Sequence, residues 1–209
     1  MLSREGIFAH RGLWQEPREK NTFEALFSAA DAGFSIETDI LQDGSGIRVA
    51  HDYSDKNPRL DLAKVLGIGR LALNIKSDAA WVVDDFSRMA IQNSGSFFFD
   101  GSNPVMFQVM RSGYRFANRI SDIETPLALE AEVLWIDSLV DDFWFMREAE
   151  ALAVFQRYKT LVFVSPELHG RQPNQFWSAI RELDKQMPSS LELGICTDYP
   201  FELCKEFGL

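Results

Sequence analysis

The stretch Ile7-Phe8-Ala9-His10-Arg11-Gly12 joins a short apolar run to a histidine, an arginine and a glycine. An apolar run of this length that ends at a glycine is typical of a buried β-strand. Its end carries His10, whose proton can be exchanged near neutral pH, and Arg11, which is always charged. The sequence therefore predicts a functional site at this strand end, completed by polar residues from other strands.

Strand-like runs alternate with helical patterns along the whole chain. They are centred near residues 7, 36, 73, 98, 118, 135, 163 and 194, with an additional hairpin arm at 47–51 after the turn at 43–46. Eight strands separated by helices predict a closed (β/α)₈ TIM barrel with a small hairpin after the second strand, formed as one domain over residues 1–209. An open doubly wound sheet is the alternative, although no glycine-rich phosphate motif follows any strand.

Several helix boundaries can be predicted from local signals. Asn21 stands three residues before Glu24, a spacing typical of the start of a helix. Helical patterns are also predicted over 77–93, 126–132 and 141–158.

Composition narrows the classes of partner. The 209 residues carry a formal net charge of −10, which disfavours nucleic acid and anionic membrane surfaces as partners. No apolar run is long enough to span a bilayer, and residues 1–10 do not resemble a signal peptide. Two cysteines, Cys196 and Cys204, are too few for a disulfide framework. We expect a cytoplasmic protein without stable membrane insertion; the sequence does not indicate its oligomeric state.

Polar residues gather where the predicted strands end. Glu37 and Asp39 are two residues apart and point to the same face of their strand, as do Asn74 and Lys76 on another. His51 follows the hairpin arm. Weaker candidates at other strand ends are Asp100, Asp137, Glu167 and His169.

These residue types fit the chemistry of a phosphodiester. Two carboxylates on one face suit a hard divalent cation such as Mg²⁺ or Ca²⁺. Arg11 and Lys76 can neutralise a phosphate, and His10 and His51 can act as general base and general acid.

Six motifs in this chain resemble those of the glycerophosphodiester phosphodiesterases, within the phosphatidylinositol-phospholipase-C-like barrels. The motifs are AHRG at 9–12, NTFEAL at 21–26, IETDI at 36–40, AHD at 50–52, LNIK at 73–76 and TDYP at 197–200. Their order and spacing extend over nearly the whole chain, so that together they indicate the superfamily more strongly than any one of them alone.

The resemblance implies a TIM barrel that binds one divalent cation and hydrolyses small phosphodiesters of lipid metabolism, such as glycerophosphocholine. It implies that His10 and His51 are catalytic, that Glu37 and Asp39 bind the metal, and that Arg11 and Lys76 contact the phosphate.

Two departures set this chain apart as a divergent, short member. The family strand reads Glu-x-Lys where this chain has Asn74-Ile75-Lys76, so Asn74 would bind the metal through a neutral carbonyl oxygen, with Asp100 or Glu167 as possible substitutes for the missing carboxylate. The segment between Asp52 and Leu71 is short, which leaves the alcohol part of the substrate undetermined. The alternatives are a weakened barrel that only binds a phosphorylated ligand, and a lyase-type enzyme that forms a cyclic phosphate.

Overall fold

The computed structural model describes residues 1–43, 46–53, 60–78, 94–127, 129–147 and 153–209. They form two compact units, one of Ala9–Phe116 and one of Met1–Phe8 with Ala117–Leu209. Strand β1, Ile7–His10, contributes two residues to each unit. The prediction of a single domain over 1–209 stays a prediction.

The unit of residues 9–116 is built around a long strand, β2. After β1 its elements are α1 (Phe23–Asp31), β2 (Ser35–Asp43), β3 (Gly46–Val49), β4 (Leu60–Asp61), α2 (Leu62–Val65), β5 (Leu71–Ile75), β6 (Phe97–Phe99) and α3 (Asn103–Arg111). Strand β2 pairs in parallel with β5, and β5 with β6. On its other side β2 pairs antiparallel with β3, and β3 with β4. The hairpin predicted after the second strand is therefore present.

The other unit contains a row of parallel strands. Its elements are β7 (Ala117–Ile120), β8 (Val133–Ile136), α4 (Trp144–Arg147), β9 (Thr160–Val164), α5 (Asn174–Gln186), β10 (Glu192–Thr197) and α6 (Pro200–Phe207). Strand β8 pairs with β7 and β9, and β9 also pairs with β10, all in parallel. Every residue of β8 and β9 is buried, as expected for parallel strands covered on both faces.

Local signals misplaced two helical features. Helix α1 begins at Phe23 with Thr22 as its N-cap, whose side chain accepts a hydrogen bond from the Ala25 backbone N–H, so Asn21 is outside the cap. The described residues of 126–132 are not helical. Asn118 Nδ2, from β7, donates to the carbonyls of Leu127 and Leu129 (3.2 and 2.8 Å). These carbonyls therefore accept side-chain hydrogen bonds in place of helical backbone ones.

Parts of three other predictions lie outside the described residues. These parts are 44–45 of the hairpin turn, 79–93 of the helix predicted over 77–93, and 148–152 of the helix predicted over 141–158. Across the described ranges, no helix is both long and apolar enough to cross a membrane.

Candidate functional site

All seven residues predicted for the site belong to the unit of residues 9–116. The parallel register of β2 and β5 places Asp39 beside Asn74 and Glu37 beside Ala72. Lys76 follows β5 directly, and its backbone N–H donates to the carbonyl of Ile40 at 2.8 Å. The two strands thus bring Glu37, Asp39, Asn74 and Lys76 to one edge of the sheet.

The turn after β1 positions Arg11 and closes against α1. Arg11 adopts a left-handed backbone conformation, with φ 60°, and its N–H donates to the carbonyl of Glu37 at 2.8 Å. Gly12 follows with φ 91°, and a Cβ at this position would lie 2.5 Å from the backbone carbon of Ala25. Glycine is required here because both the conformation and the close helix approach exclude a side chain.

Asp39 is fully buried and is surrounded by donors. Its Oδ2 lies 2.7 Å from Arg11 Nε and accepts a hydrogen bond from Asn21 Nδ2 at 2.9 Å. Its Oδ1 lies 3.5 Å from Lys76 Nζ but accepts no hydrogen bond from the described residues. The negative charge of Asp39 is thus compensated, while its Oδ1 can still accept a ligand.

Glu37 is buried beside Asp39 with fewer donors. Asn74 Nδ2 donates to its Oε1 at 3.2 Å, and His10 Nε2 lies 3.9 Å from its Oε2. Burial, reinforced by the charge of Asp39, raises the pKa of Glu37 above its usual value, against the opposing effect of His10, Arg11 and Lys76. A nearby positive charge would therefore stabilise the ionised form of this buried carboxylate.

The oxygens at this edge fit a hard cation. Glu37 Oε2, Asp39 Oδ1 and Asn74 Oδ1 are buried, and none has a hydrogen-bond partner among the described residues. Oxygen donors of this kind are what Mg²⁺ and Ca²⁺ prefer. In the same described part of the chain, no group of three or more His, Cys, Asp and Glu side chains is placed to hold a metal ion. The donor set is therefore two carboxylates and one amide.

His51 is placed differently from His10. The side chain of His10 is 14% exposed and lies against Glu37, whereas that of His51 is 48% exposed. Within the described ranges, the polar contact of His51 is with Asp52, its Nδ1 lying 3.6 Å from the carboxylate. The structure therefore brings together six of the seven predicted residues and leaves His51 at the end of β3, next to residues 54–59, which lie outside the described ranges.

Two further polar residues, Asp100 and Asn21, contact the cluster formed by His10, Arg11, Glu37, Asp39, Asn74 and Lys76. Asp100 Oδ2 lies 3.8 Å from Lys76 Nζ. Asn21 is hydrogen bonded to Asp39, a role that sequence reasoning missed because its spacing to Glu24 indicated a helix cap. The signal available was its place at the start of the NTFEAL motif at 21–26.

The remaining candidates lie in the other unit and are bonded within it. Glu167 accepts hydrogen bonds from the hydroxyls of Ser165 and Thr197 and from the Asp198 backbone N–H. Asp137 Oδ1 lies 2.7 Å from His169 Nε2, and its Oδ2 lies 3.2 Å from an Arg119 nitrogen. These carboxylates already have partners in their own unit.

Comparison with known proteins shows similarity in structure only. No protein-family model matches the chain, and no curated protein matches it. A glycerophosphodiester phosphodiesterase from Agrobacterium tumefaciens str. C58 aligns with a TM-score of 0.64 at 16% identity, over 97% of this chain and 99% of that one. One from Thermotoga maritima aligns with a TM-score of 0.59 at 12% identity, over 98% and 99% of the two chains.

Both alignments extend over nearly the full length of each protein. At these identities they are evidence of a shared fold, and they confirm the predicted fold class. The chain has the TIM-barrel fold of the glycerophosphodiester phosphodiesterases.

Proposed function

We propose that this chain hydrolyses a small phosphodiester in a reaction that requires one divalent cation. The observation that carries the proposal is the set of three buried oxygens without hydrogen-bond donors, on Glu37, Asp39 and Asn74. Two cationic side chains, Arg11 and Lys76, lie against the same carboxylate, Asp39. A site that combines ligands for a cation with positive side chains suits a phosphate group.

Formal charges support a monoanionic ligand. With all three carboxyl groups ionised, as they would be around a bound cation, Arg11 and Lys76 contribute +2 and Glu37, Asp39 and Asp100 contribute −3, which leaves −1. A divalent cation changes this sum to +1, and a phosphodiester, which carries a single negative charge, brings it to zero. With a glutamate in place of Asn74 the same sum would be −1, so the neutral amide makes the loaded site one unit less negative.

Each side chain has a definite task in this proposal. Glu37, Asp39 and Asn74 would hold the cation, because each has a buried oxygen without a hydrogen-bond partner among the described residues. When bound, the cation supplies Lewis-acid polarisation of a phosphoryl oxygen. Arg11 keeps its outer guanidinium nitrogens for the phosphate, because Nε is the atom that contacts Asp39. Lys76 adds a second positive charge.

Proton transfer falls to the histidines. His10, held against Glu37, exchanges a proton with the attacking or the leaving oxygen, and His51 is proposed as its counterpart. The carbonyl of Asp39 accepts a hydrogen bond from the Ala50 N–H at 3.1 Å, so the chain just before His51 is tied to the metal-binding strand. This link supports the assignment of His51, although its imidazole contacts Asp52.

The test uses the purified chain after treatment with a chelator. Mg²⁺ or Ca²⁺ is added back in the presence of aryl phosphodiesters and a panel of glycerophosphodiesters, and products are followed by phosphorus NMR. We expect cation-dependent release, with His10→Asn and His51→Asn each lowering kcat/KM by about 10²- to 10⁴-fold. Absence of release with either cation would overturn the proposal. A cyclic phosphate as first product would identify the lyase route.

A second candidate is a barrel that binds a phosphorylated ligand without turnover. The observation favouring it is the neutral Asn74 where the resemblance implies a carboxylate, together with the exposure of His51. Calorimetric titration with glycerol phosphate in the presence of Mg²⁺ separates the two. Binding with no turnover of any diester supports this candidate, and turnover excludes it.

A further inference from the structure

Asn21 has an unusual backbone conformation for a buried residue. Its φ is 61°, in the left-handed region, and the residue is only 7% exposed. Non-glycine residues are uncommon there, although asparagine tolerates the region better than most. The backbone N–H of Asn21 donates to the carbonyl of Arg11 at 3.0 Å, which fastens this loop to the turn after β1.

The side-chain amide of Asn21 is hydrogen bonded at both ends to β2. Nδ2 donates to Asp39 Oδ2 at 2.9 Å. Oδ1 accepts from the Thr38 hydroxyl at 2.8 Å and from the Asp39 backbone N–H at 3.4 Å. The orientation of the amide follows from its partners, because an ionised carboxylate only accepts hydrogen bonds and a backbone N–H only donates them.

The two oxygens of the Asp39 carboxylate differ in their hydrogen bonds. Oδ2 is held by Asn21 and by the Arg11 ion pair at 2.7 Å, whereas Oδ1, which lies 3.5 Å from Lys76 Nζ, accepts no hydrogen bond from the described residues. We infer that Asn21 is a positioning residue that fixes the Asp39 carboxylate so that Oδ1 alone remains for a divalent cation. The inference rests on the proposed function, and it adds to it a residue outside the predicted ligand set.

The chemistry of the position explains why asparagine is suited to it. Aspartate has the same shape but would oppose one carboxylate to another and would have no N–H to donate. Alanine would lose all three side-chain hydrogen bonds and strain the backbone as well. Glycine keeps the left-handed conformation without strain and removes only the amide, so Asn21→Gly isolates the effect of the side chain.

The experiment measures cation binding directly. Mg²⁺ and Ca²⁺ are titrated by calorimetry into the natural chain, Asn21→Gly and Thr22→Ala. Thr22→Ala removes the N-cap of α1 next door without touching Asp39, and is therefore the control for local destabilisation. We expect Asn21→Gly to weaken cation binding by about 10- to 100-fold, as is usual for residues that orient metal ligands, and Thr22→Ala to leave it unchanged.

Unchanged binding in Asn21→Gly overturns the inference, and so does an equal loss in Thr22→Ala. If Asn21→Gly fails to fold, Thr38→Val removes the hydroxyl that orients the amide and is expected to give a smaller loss that Thr38→Ser restores. Equal binding by these two variants also overturns the inference.

Failure of the proposed function can be told apart from failure of this inference. If the natural chain binds neither cation, the proposed function fails, and the crystal structure of Asn21→Gly then tests positioning by itself. A rotated Asp39 carboxylate supports the role of Asn21, and an unmoved one overturns it.

Discussion

Asn74 donates its amide to Glu37 Oε1 at 3.2 Å across the parallel pair of β2 and β5. This bond leaves Glu37 Oε2 and Asn74 Oδ1 without donors among the described residues. A glutamate or aspartate at position 74 would have no N–H to donate. The neutral residue therefore does more than lower the charge of the donor set, because it also orients the neighbouring carboxylate.

Substitution of Asn74 is expected to make stability depend on cations. Asn74→Ala leaves buried Glu37 Oε1 without a donor, which costs about 1–3 kcal/mol of unfolding free energy in chelator. Asn74→Asp adds like-charge repulsion and should lower the unfolding free energy in chelator by more than Asn74→Ala does. Added Mg²⁺ should raise the unfolding free energy of Asn74→Asp more than that of Asn74→Ala, because three carboxylates then face the ion. Urea unfolding with chelator and with Mg²⁺ measures both effects. Asn103→Asp, exposed in the same unit, is the control. Equal stabilities of the natural chain and both Asn74 variants in chelator would contradict this prediction.

Loss of Arg11 is expected to destabilise the fold through Asp39. The carboxylate is fully buried, and Arg11→Ala removes the ion pair at 2.7 Å. Removing one partner of a buried ion pair costs about 3 kcal/mol, of which Lys76 and Asn21, still beside Asp39, offset a part. Arg181→Ala is the matched control, because its pair with Glu206 is 41% and 31% exposed and should contribute less than about 1 kcal/mol. Chemical denaturation of both variants gives the comparison, and a similar small effect for the two would show that Asp39 does not depend on Arg11.

The glycine after Arg11 allows conformational strain and steric overlap to be separated. Gly12 and Gly113 both have positive φ, but a Cβ on Gly12 would overlap the backbone of Ala25, and one on Gly113 would meet nothing within 4 Å. Gly113→Ala should cost about 1 kcal/mol from backbone strain alone. Gly12→Ala should cost at least about 2 kcal/mol more, because α1 must move. Unfolding midpoints in urea measure the difference, and equal costs would contradict the close packing of α1.

The contact of Asp137 with His169 predicts acid sensitivity in the other unit. Burial alone would raise the pKa of Asp137, but the hydrogen bond and charge of His169, with Arg119 and the Ser138 N–H, lower it below the usual 3.8. The folded state therefore binds this proton less readily than the unfolded chain. The stabilisation is complete above the unfolded value and is lost as the pH falls through the lower folded pKa.

Asp137→Asn should therefore cost about 2 kcal/mol at neutral pH and show a smaller fall in stability below pH 3.8 than the natural chain. Urea unfolding at a series of pH values tests this. Glu182→Gln is the control, since the pKa of exposed Glu182 is lowered by surface contacts, first with Lys185 and then with Arg181. Parallel pH profiles for the natural chain and Asp137→Asn would contradict the prediction.

The candidate site could be predicted only in part from local sequence. Glu37 and Asp39 were placed on one face by the two-residue period of a strand, and the parallel register of β2 and β5 then put Asn74 beside them. The role of Asn21 could not be predicted in this way. Its spacing to Glu24 has the form of a helix cap, yet Thr22 forms the cap and Asn21 bonds to Asp39, eighteen residues away.

The sequence by itself determined the strands, the hairpin after β2 and the identity of most charged groups in the cluster, because periodicity and residue type are local properties. Only the tertiary structure decided which atoms of those groups remain available. The left-handed backbone of Asn21, the donation from Asn74 to Glu37 and the exposure of His51 depend on how loops return to the strand ends. Hydrogen bonds between residues far apart in the chain have no sequence period, so they appear only once the loops are folded.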